Sequence, residues 1–242
     1  MLEDFVHQPE RDRIIVALDC GQDQALALGE QLAGEVKWIK VGMTLYYACG
    51  PSIVRAFKKL GFKVFLDLKL HDIPFQVEGA ARSAAESGAD MLTMHTLGGQ
   101  AMLEAGQRGA VKAAGNAAEF AAATLGITVL TSMDQAALNQ IGITRTPAQQ
   151  VALLAGIAKD AGITGVVASP QEARALREQL GPKAYIVTPG VRPQGADKGD
   201  QSRVATPRQA FDNGASHIVI GRPITQAENP VSAFRAIAES LA

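Results

Sequence analysis

The sequence predicts an α/β protein in which eight parallel strands, each followed by a helix, close into a (β/α)8 TIM barrel as a single domain. Three observations lead to this fold class: a length of 242 residues, an apolar content of 47%, and eight short apolar runs separated by Ala-rich helical stretches. A chain of this size can bury one substantial core and matches the usual length of one such barrel. A doubly wound open sheet is the alternative, but it requires fewer strands.

The eight apolar runs are rich in β-branched residues, and each is followed by a helical or loop pattern. They lie at 13–19, 36–42, 63–69, 90–95, 126–132, 165–169, 184–190 and 216–222. Near-continuous apolar strands indicate a sheet that is covered on both faces, and a right-handed βα repeat counted to eight closes as a barrel. We therefore expect a barrel domain over 13–242, preceded by an N-terminal arm over 1–12.

Helix boundary signals agree with a count of eight βα units. Asp23 precedes a helical pattern after the first strand, while Pro51 opens the next pattern and Gly61 closes it. The connection over 192–203 is different, because it is Gly-rich, polar and long for a βα loop. This composition is typical of a mobile lid on the catalytic face, and nearly as typical of a disordered surface insertion.

Composition and charge exclude several classes of function. The formal net charge is -1 and no block of Lys or Arg is present, so we expect no nucleic-acid partner. Cys20 and Cys49 form no C-x-x-C motif, which argues against a disulfide framework and a zinc site and favours a reducing, cytoplasmic setting. The N-terminus lacks a secretion signal and no segment is apolar enough for a membrane span, so we expect no membrane partner.

The segment over 62–74, FKVFLDLKLHDIP, places Asp67, Lys69 and Asp72 within six positions of one another. An extended backbone would point Asp67 and Lys69 to the same side, and Asp72 follows where the strand becomes a loop. Because an unpaired buried ion is costly, alternating carboxylate and ammonium groups hold one another ionised. The cluster therefore predicts chemistry in which charge develops.

In such a barrel, the site is built where the strands end. The predicted strand ends carry polar or flexible residues: Asp19, Lys40, Asp67, Lys69, His95, Thr131, Ser132, Gly221 and Arg222. Each alone has an ordinary structural explanation, such as helix capping by Asp19 or burial of His95 in the core. Together they favour a site.

A phosphate site is predicted after the seventh and eighth strands. The segments TPGVRP at 188–193 and VIGRPIT at 219–225 combine Gly amides with Arg192 and Arg222. Backbone amides can approach an anion closely at Gly, and Arg adds a bidentate charged contact. Phosphate sites in these barrels are often built from these two loops.

Over nearly its whole length, the chain resembles the orotidine 5'-monophosphate decarboxylase family. The matching motifs, in order, are IIVALD, IKVGMTLYYACGP, FLDLKLHDIP, VLTSMD, VTPGVRP, DQSRVATP and IVIGRPIT. This resemblance implies a (β/α)8 barrel that needs neither metal nor cofactor and that decarboxylates orotidine 5'-monophosphate. It also implies a homodimer whose sites lie at the subunit interface.

The resemblance assigns roles by motif, and it implies four catalytic residues: Lys69, Asp67, Asp72 and Lys40. Lys69 is the implied proton donor to the ring carbon that loses carbon dioxide, and Asp67 lies beside the departing carboxylate. Asp72 is expected to serve the site of the neighbouring subunit, with Ile73 alongside.

The implied substrate-binding residues are Asp19, Lys40, Asp67, Ile73, Gln76, Thr131, Ser132, Pro189, Arg192, Gln201, Gly221 and Arg222. Gln201, Arg222 and the Gly221 amide resemble the family's phosphate grip. The chain departs from a common family pattern at Phe75 and Gln76, where many members have a small polar residue or Asn followed by Thr. We expect Gln76 to replace that Thr at a ribose hydroxyl.

Two alternatives remain open from the sequence. One is a magnesium-dependent sugar-phosphate decarboxylase or aldolase on the same barrel, which would share Asp67, Lys69 and Asp72. The magnesium site of such an enzyme would require a further acidic ligand near the second strand, and this chain has Lys40 at that position. The other is a non-catalytic nucleotide-binding barrel, which intact Asp67 and Lys69 disfavour.

Overall fold

The computed structural model describes residues 5–117, 121–193 and 205–241, and its strands form a closed parallel barrel. In chain order the strands β1 to β8 are Ile14–Ala17, Trp38–Gly42, Lys63–Leu70, Met91–His95, Ala123–Ile127, Gly165–Val167, Tyr185–Thr188 and His217–Ile220. Each strand pairs in parallel with the next, and β8 pairs with β1 to close the barrel. The predicted fold class is confirmed.

Helices surround the barrel. In chain order the α-helices of the described ranges, α1 to α11, are Gln22–Leu32, Met43–Cys49, Ser52–Lys59, Pro74–Glu86, Gly99–Ala114, Gln135–Gln140, Pro147–Asp160, Ala173–Leu180, Pro207–Asp212, Arg222–Thr225 and Pro230–Glu239. Short 3-10 helices cover Phe5–His7, Glu10–Arg13 and Thr96–Gly98. None of the helices in these ranges combines the length and apolar character needed to cross a bilayer.

Two predicted helix starts have different outcomes. Pro51 is the N-cap of α3, and Gly61 follows its end with a φ of 88°, as the sequence predicts. The expected start after Asp23 is wrong, because Gly21 is the N-cap of α1. Asp23 instead lies in the first turn, where its negative charge interacts favourably with the helix dipole.

The predicted fifth strand, 126–132, is displaced in the structure. β5 begins at Ala123, which pairs with Met91, and ends at Ile127, which pairs with His95. The register is therefore set by pairing with β4, whereas the weak intrinsic strand preference of Ala hides this start in the sequence. Thr131 and Ser132 lie in the loop beyond the strand.

Alternate residues of each strand face two different apolar layers. In β1, Ile14 and Val16 pack toward the helices, whereas Ile15 and Ala17 face the barrel interior. Phe5 joins the interior cluster, with its ring centroid 5.1 Å from that of Tyr185, the first residue of β7. The interior is therefore filled at the N-terminal ends of the strands, and the opening lies at the C-terminal ends.

Candidate active site

A cavity of about 650 Å³ opens at the C-terminal ends of the barrel strands. Its lining includes most of the predicted site residues: Asp19, Lys40, Asp67, Lys69, Thr131, Ser132, Pro189, Arg192, Gly221 and Arg222. Phe65, Ile127 and Val219 contribute apolar surface to the same cavity. The volume suits a small organic molecule, and the lining combines an apolar wall with convergent charges.

The charged residues of this cavity alternate in sign. Lys40 Nζ lies 2.8 Å from Asp19 Oδ1 and 3.8 Å from Asp67 Oδ2. Lys69 Nζ lies 2.8 Å from the same Asp67 Oδ2. Lys40 and Asp67 are each only 9% exposed, so loss of either side chain would leave an uncompensated charge among buried residues. We call the four residues the charge array.

Strand β2 directs Lys40, one member of the charge array, into the barrel. Lys40 lies in β2 between Ile39 and Val41, which both pack in the outer layer. Since successive side chains of a strand point to opposite faces, Lys40 must point into the barrel. Its neighbour on β3 is Phe65, a residue of the interior cluster, and this places the ammonium above an apolar floor.

The backbone at Lys69 differs from the expectation. Its φ is 53°, and within the described ranges no other non-glycine residue has a positive φ. The predicted extended backbone is therefore wrong at this position. The pairing of β3 with β4 also shifts register between Leu66 and Leu70. Lys69 still lines the cavity with Asp67, because the irregular backbone returns its side chain to the same side.

Three predicted site residues do not line this cavity in the single chain. Asp72, Ile73 and Gln76 lie in an exposed stretch that enters α4, and Ile73 is 63% exposed. Asp72 Oδ1 accepts a hydrogen bond from the amide of Ile73 at 2.7 Å. Phe75, beside them, is 82% exposed.

The loops after β7 and β8 bring two guanidinium groups to the cavity. Arg192 and Arg222 both line it, together with Gly190 and Gly221. Arg192 donates its amide to the carbonyl of Ala205 at 2.9 Å, which joins the two ends of the connection. Gln201 and most of the predicted lid over 192–203 lie outside the described residues.

Sequence reasoning missed several residues of the site. Cys20, Gln24, Thr225 and Gln226 also line the cavity. Burial, followed by the nearby Asp19 carboxylate, raises the pKa of the Cys20 thiol, so it remains neutral. The Gln side chains lie in or beside helices, where a polar residue ordinarily faces solvent, and no sequence signal separates them from surface residues.

Thr93 was also missed, and it contacts the charge array from β4. It is fully buried, and its hydroxyl lies 3.0 Å from Asp67 Oδ1 and 2.8 Å from the amide nitrogen of Lys69. The available sequence signal is a Thr within an apolar run. This signal is weak, because β-branched residues are common in strands for packing alone.

His95, a predicted strand-end residue, lies beside the site without lining the cavity. Its ring centroid is 5.4 Å from that of His71. Burial is the largest cause that lowers the pKa of His95, and electrostatic interactions with His71 and Lys69 act in the same direction. Its imidazole is therefore held neutral.

The chain is similar over almost its full length to known decarboxylases. The family model described as "Orotidine 5'-phosphate decarboxylase / HUMPS family" matches residues 12–237. An orotidine 5'-phosphate decarboxylase of Moorella thermoacetica is 48% identical, with 99% of this chain and 96% of that protein aligned. One from Anaeromyxobacter sp. is 49% identical over 95% of this chain and 98% of its own length.

A solved structure supports the same relationship. The crystal structure of an orotidine 5'-phosphate decarboxylase from Lactobacillus acidophilus superimposes with a TM-score of 0.83 at 36% identity. The match covers 95% of this chain and 99% of that one. With its barrel, its charge array and these full-length relatives, the chain belongs to the orotidine 5'-phosphate decarboxylase / HUMPS family.

Proposed function

We propose that this protein converts orotidine 5'-monophosphate to uridine 5'-monophosphate by decarboxylation without a cofactor, a step of pyrimidine nucleotide synthesis. The observation that carries the proposal is the charge array, in which two ammonium groups approach one carboxylate oxygen inside the barrel mouth. Relatives at 48% and 49% identity bear the name of this activity.

Loss of carbon dioxide from a pyrimidine leaves an electron pair on a ring carbon, with no cofactor to delocalise it. In our proposal, the bond between that carbon and its carboxylate breaks, carbon dioxide leaves, and Lys69 Nζ delivers a proton to the carbon. The resulting neutral amine regains a proton from water. A fixed ammonium thus both stabilises the developing charge and acts as the general acid.

Asp67 holds that ammonium by its contact of 2.8 Å with Lys69. We propose that it faces the substrate carboxylate, which lies there only in the ground state and departs as neutral carbon dioxide. Lys40 bridges Asp67 to Asp19, whose carboxylate is the more exposed of the two. That position at the outer end of the array suits Asp19 and Lys40 for hydrogen bonds to ribose hydroxyls.

The phosphate is assigned to the loops after β7 and β8, where Arg192, Gly221 and Arg222 line the cavity that contains the charge array. Guanidinium groups bind phosphate through paired charged hydrogen bonds. Thr131, Ser132 and Pro189 line the same cavity and are assigned to the base and its surroundings. Gln201 is retained from the family resemblance as a phosphate ligand.

We further propose that the protein works as a homodimer in which Asp72 and Ile73 complete the site of the partner subunit. The exposure of the stretch from Asp72 to Gln76 supports this assignment, since large apolar side chains there face solvent in one chain. Gln76, in this stretch, is assigned to a ribose hydroxyl, in the place of the Thr of many relatives.

The test is an assay of the purified protein with orotidine 5'-monophosphate in the presence of a chelator, following substrate absorbance and released carbon dioxide. Stoichiometric conversion that persists in chelator is the expected result. A requirement for magnesium would instead favour the sugar-phosphate class of enzyme. Lys40 argues against that class, since its ammonium already lies between the carboxylates of Asp19 and Asp67.

A matched pair of variants links the activity to this site. Lys69→Ala removes the proton donor and is expected to lower kcat by more than about 10³-fold while the fold is retained. Lys59→Ala, at an exposed position near the end of α3, serves as the control. Near-normal turnover of Lys69→Ala would refute the assignment of this residue.

A further inference from the structure

The pairing of β3 with β4 shifts register beside the charge array. Leu66 pairs with Leu92, and the next pairing joins Leu70 to Met94. Three residues of β3, Asp67 to Lys69, therefore stand opposite the single residue Thr93. An interruption of this kind leaves backbone groups of the bulged strand without their usual ladder partners.

The side chain of Thr93 occupies this interruption. Its Oγ1 accepts a hydrogen bond from the amide of Lys69 at 2.8 Å, and it donates one to Asp67 Oδ1 at 3.0 Å. A hydroxyl has one hydrogen to donate and lone pairs to accept, so both bonds form at once. Thr93 is fully buried, and water does not compete for either contact.

The two contacts act on different parts of the charge array. Both ammonium groups, those of Lys40 and Lys69, approach Asp67 Oδ2. The bond from Thr93 to Oδ1 fixes the rotation of the carboxylate and so directs Oδ2 toward the lysines. The bond from the Lys69 amide stabilises a backbone with a φ of 53°, a conformation that residues other than Gly rarely adopt.

We propose that Thr93 is a positioning residue for proton transfer, which sets the carboxylate of Asp67 and the backbone of Lys69 in their catalytic geometry through one hydroxyl group. This inference rests on the proposed function, because it assumes that Lys69 donates the proton. Thr93 is not among the residues that line the cavity, so it acts through these two neighbours. Displacement of a reacting group by about 1 Å can cost on the order of 10²-fold in rate.

Thr93→Val and Thr93→Ser separate the hydroxyl from the packing of the side chain. Val keeps the volume and removes both hydrogen bonds, so we expect kcat to fall about 10²-fold. KM should change less than about threefold, because the phosphate and ribose contacts remain. Ser keeps the hydroxyl, and its kcat should stay within about threefold of wild type.

A matched control distinguishes positioning from loss of stability. Thr124→Val, in β5, also removes a fully buried hydroxyl, one that contacts Gln107 and Thr164 instead of the charge array. It is expected to lower the temperature of unfolding without changing kcat. If Thr93→Val does not fold, Thr93→Cys takes its place, since a thiol of similar size is only a weak donor and acceptor.

A second measurement reads out Lys69 directly. By microscopic reversibility, the group that protonates the product carbon also removes that hydrogen, so the enzyme should exchange the ring hydrogen of uridine 5'-monophosphate with deuterated water. Thr93→Val should lose this exchange in parallel with kcat, whereas Thr93→Ser should keep it. Parallel loss supports positioning of the proton donor.

Several outcomes would overturn the inference. Wild-type kcat in Thr93→Val would show that the hydroxyl is dispensable, and equal loss in folded Thr93→Val and Thr93→Ser would assign the effect to the methyl group. Absence of turnover in the wild-type protein would refute the proposed function and this inference with it. If the wild-type protein turns over the substrate and either result for the Thr93 variants is observed, only this inference is refuted, and the proposed function stands.

Discussion

A Cβ atom on Gly42 would lie 3.0 Å from Nζ of Lys40 and 3.1 Å from Oδ1 of Asp19, so the absence of a side chain there leaves room for this ion pair. The backbone of Gly42 has a φ of -90°, which any residue adopts. The constraint is therefore contact with the ion pair and not backbone strain.

Gly42→Ala should displace the Lys40 ammonium by a few tenths of an ångström. We expect kcat/KM to fall by about tenfold, because the ion pair belongs to the charge array and rate is sensitive to its geometry. Steady-state kinetics measure the change. Gly156→Ala in α7 is the control, since its Cβ would meet only Gln179 Nε2, at an ordinary 3.5 Å. Equal kcat/KM in both variants would contradict the argument.

Arg222→Ala should mainly weaken substrate capture, because the proposed phosphate contact is remote from the bond that breaks. Loss of a charge-assisted hydrogen bond predicts a rise in KM of about 10- to 100-fold, with a smaller change in kcat. The control is the nucleoside orotidine, which lacks the phosphate. If Arg222→Ala impaired turnover of orotidine as strongly as that of the nucleotide, the phosphate assignment would be wrong.

Mixing two inactive variants tests the shared site. In a heterodimer of Lys69→Ala and Asp72→Ala subunits, one site contains both changes and the other contains neither. Equal mixing with free exchange therefore restores about one quarter of wild-type activity per subunit. Activity is measured after subunit exchange has been verified with differently tagged chains. No recovery under those conditions would count against an Asp72 shared between subunits.

His95 makes the stability of the fold depend on pH. Burial, followed by electrostatic interactions with His71 and Lys69, lowers its pKa in the folded state, and Asp67 opposes this with a smaller effect. The unfolded chain then binds a proton that the folded chain does not. The stabilisation is present above the unfolded pKa of about 6.5 and is lost as pH falls through the folded value.

His95→Asn should therefore reduce the loss of unfolding free energy between about pH 7.5 and about pH 5.5. Urea unfolding at fixed protein concentration measures this difference for the wild type and the variant. His7→Asn provides the control, because His7 is an exposed residue of the N-terminal 3-10 helix. An unchanged pH dependence in His95→Asn would show that this imidazole does not titrate between the two states.

Local patterns in the sequence determined the barrel and most of the cavity lining. Strand and helix periods are properties of neighbouring residues, and the C-terminal ends of parallel strands meet at one face whatever their detailed register. For this reason Asp19, Lys40 and Arg222, which are far apart in the chain, were predicted to converge, and all three line the cavity.

The tertiary structure alone decided the start of β5, the backbone at Lys69 and the contacts of Thr93. Each depends on register between strands, which is a choice between partners distant in sequence. Asp67 and Lys69 carry their charges in the sequence, but the geometry of that pair is set by a hydroxyl on the next strand. Residue types thus specify which groups reach the barrel mouth, and packing between strands specifies how they face one another.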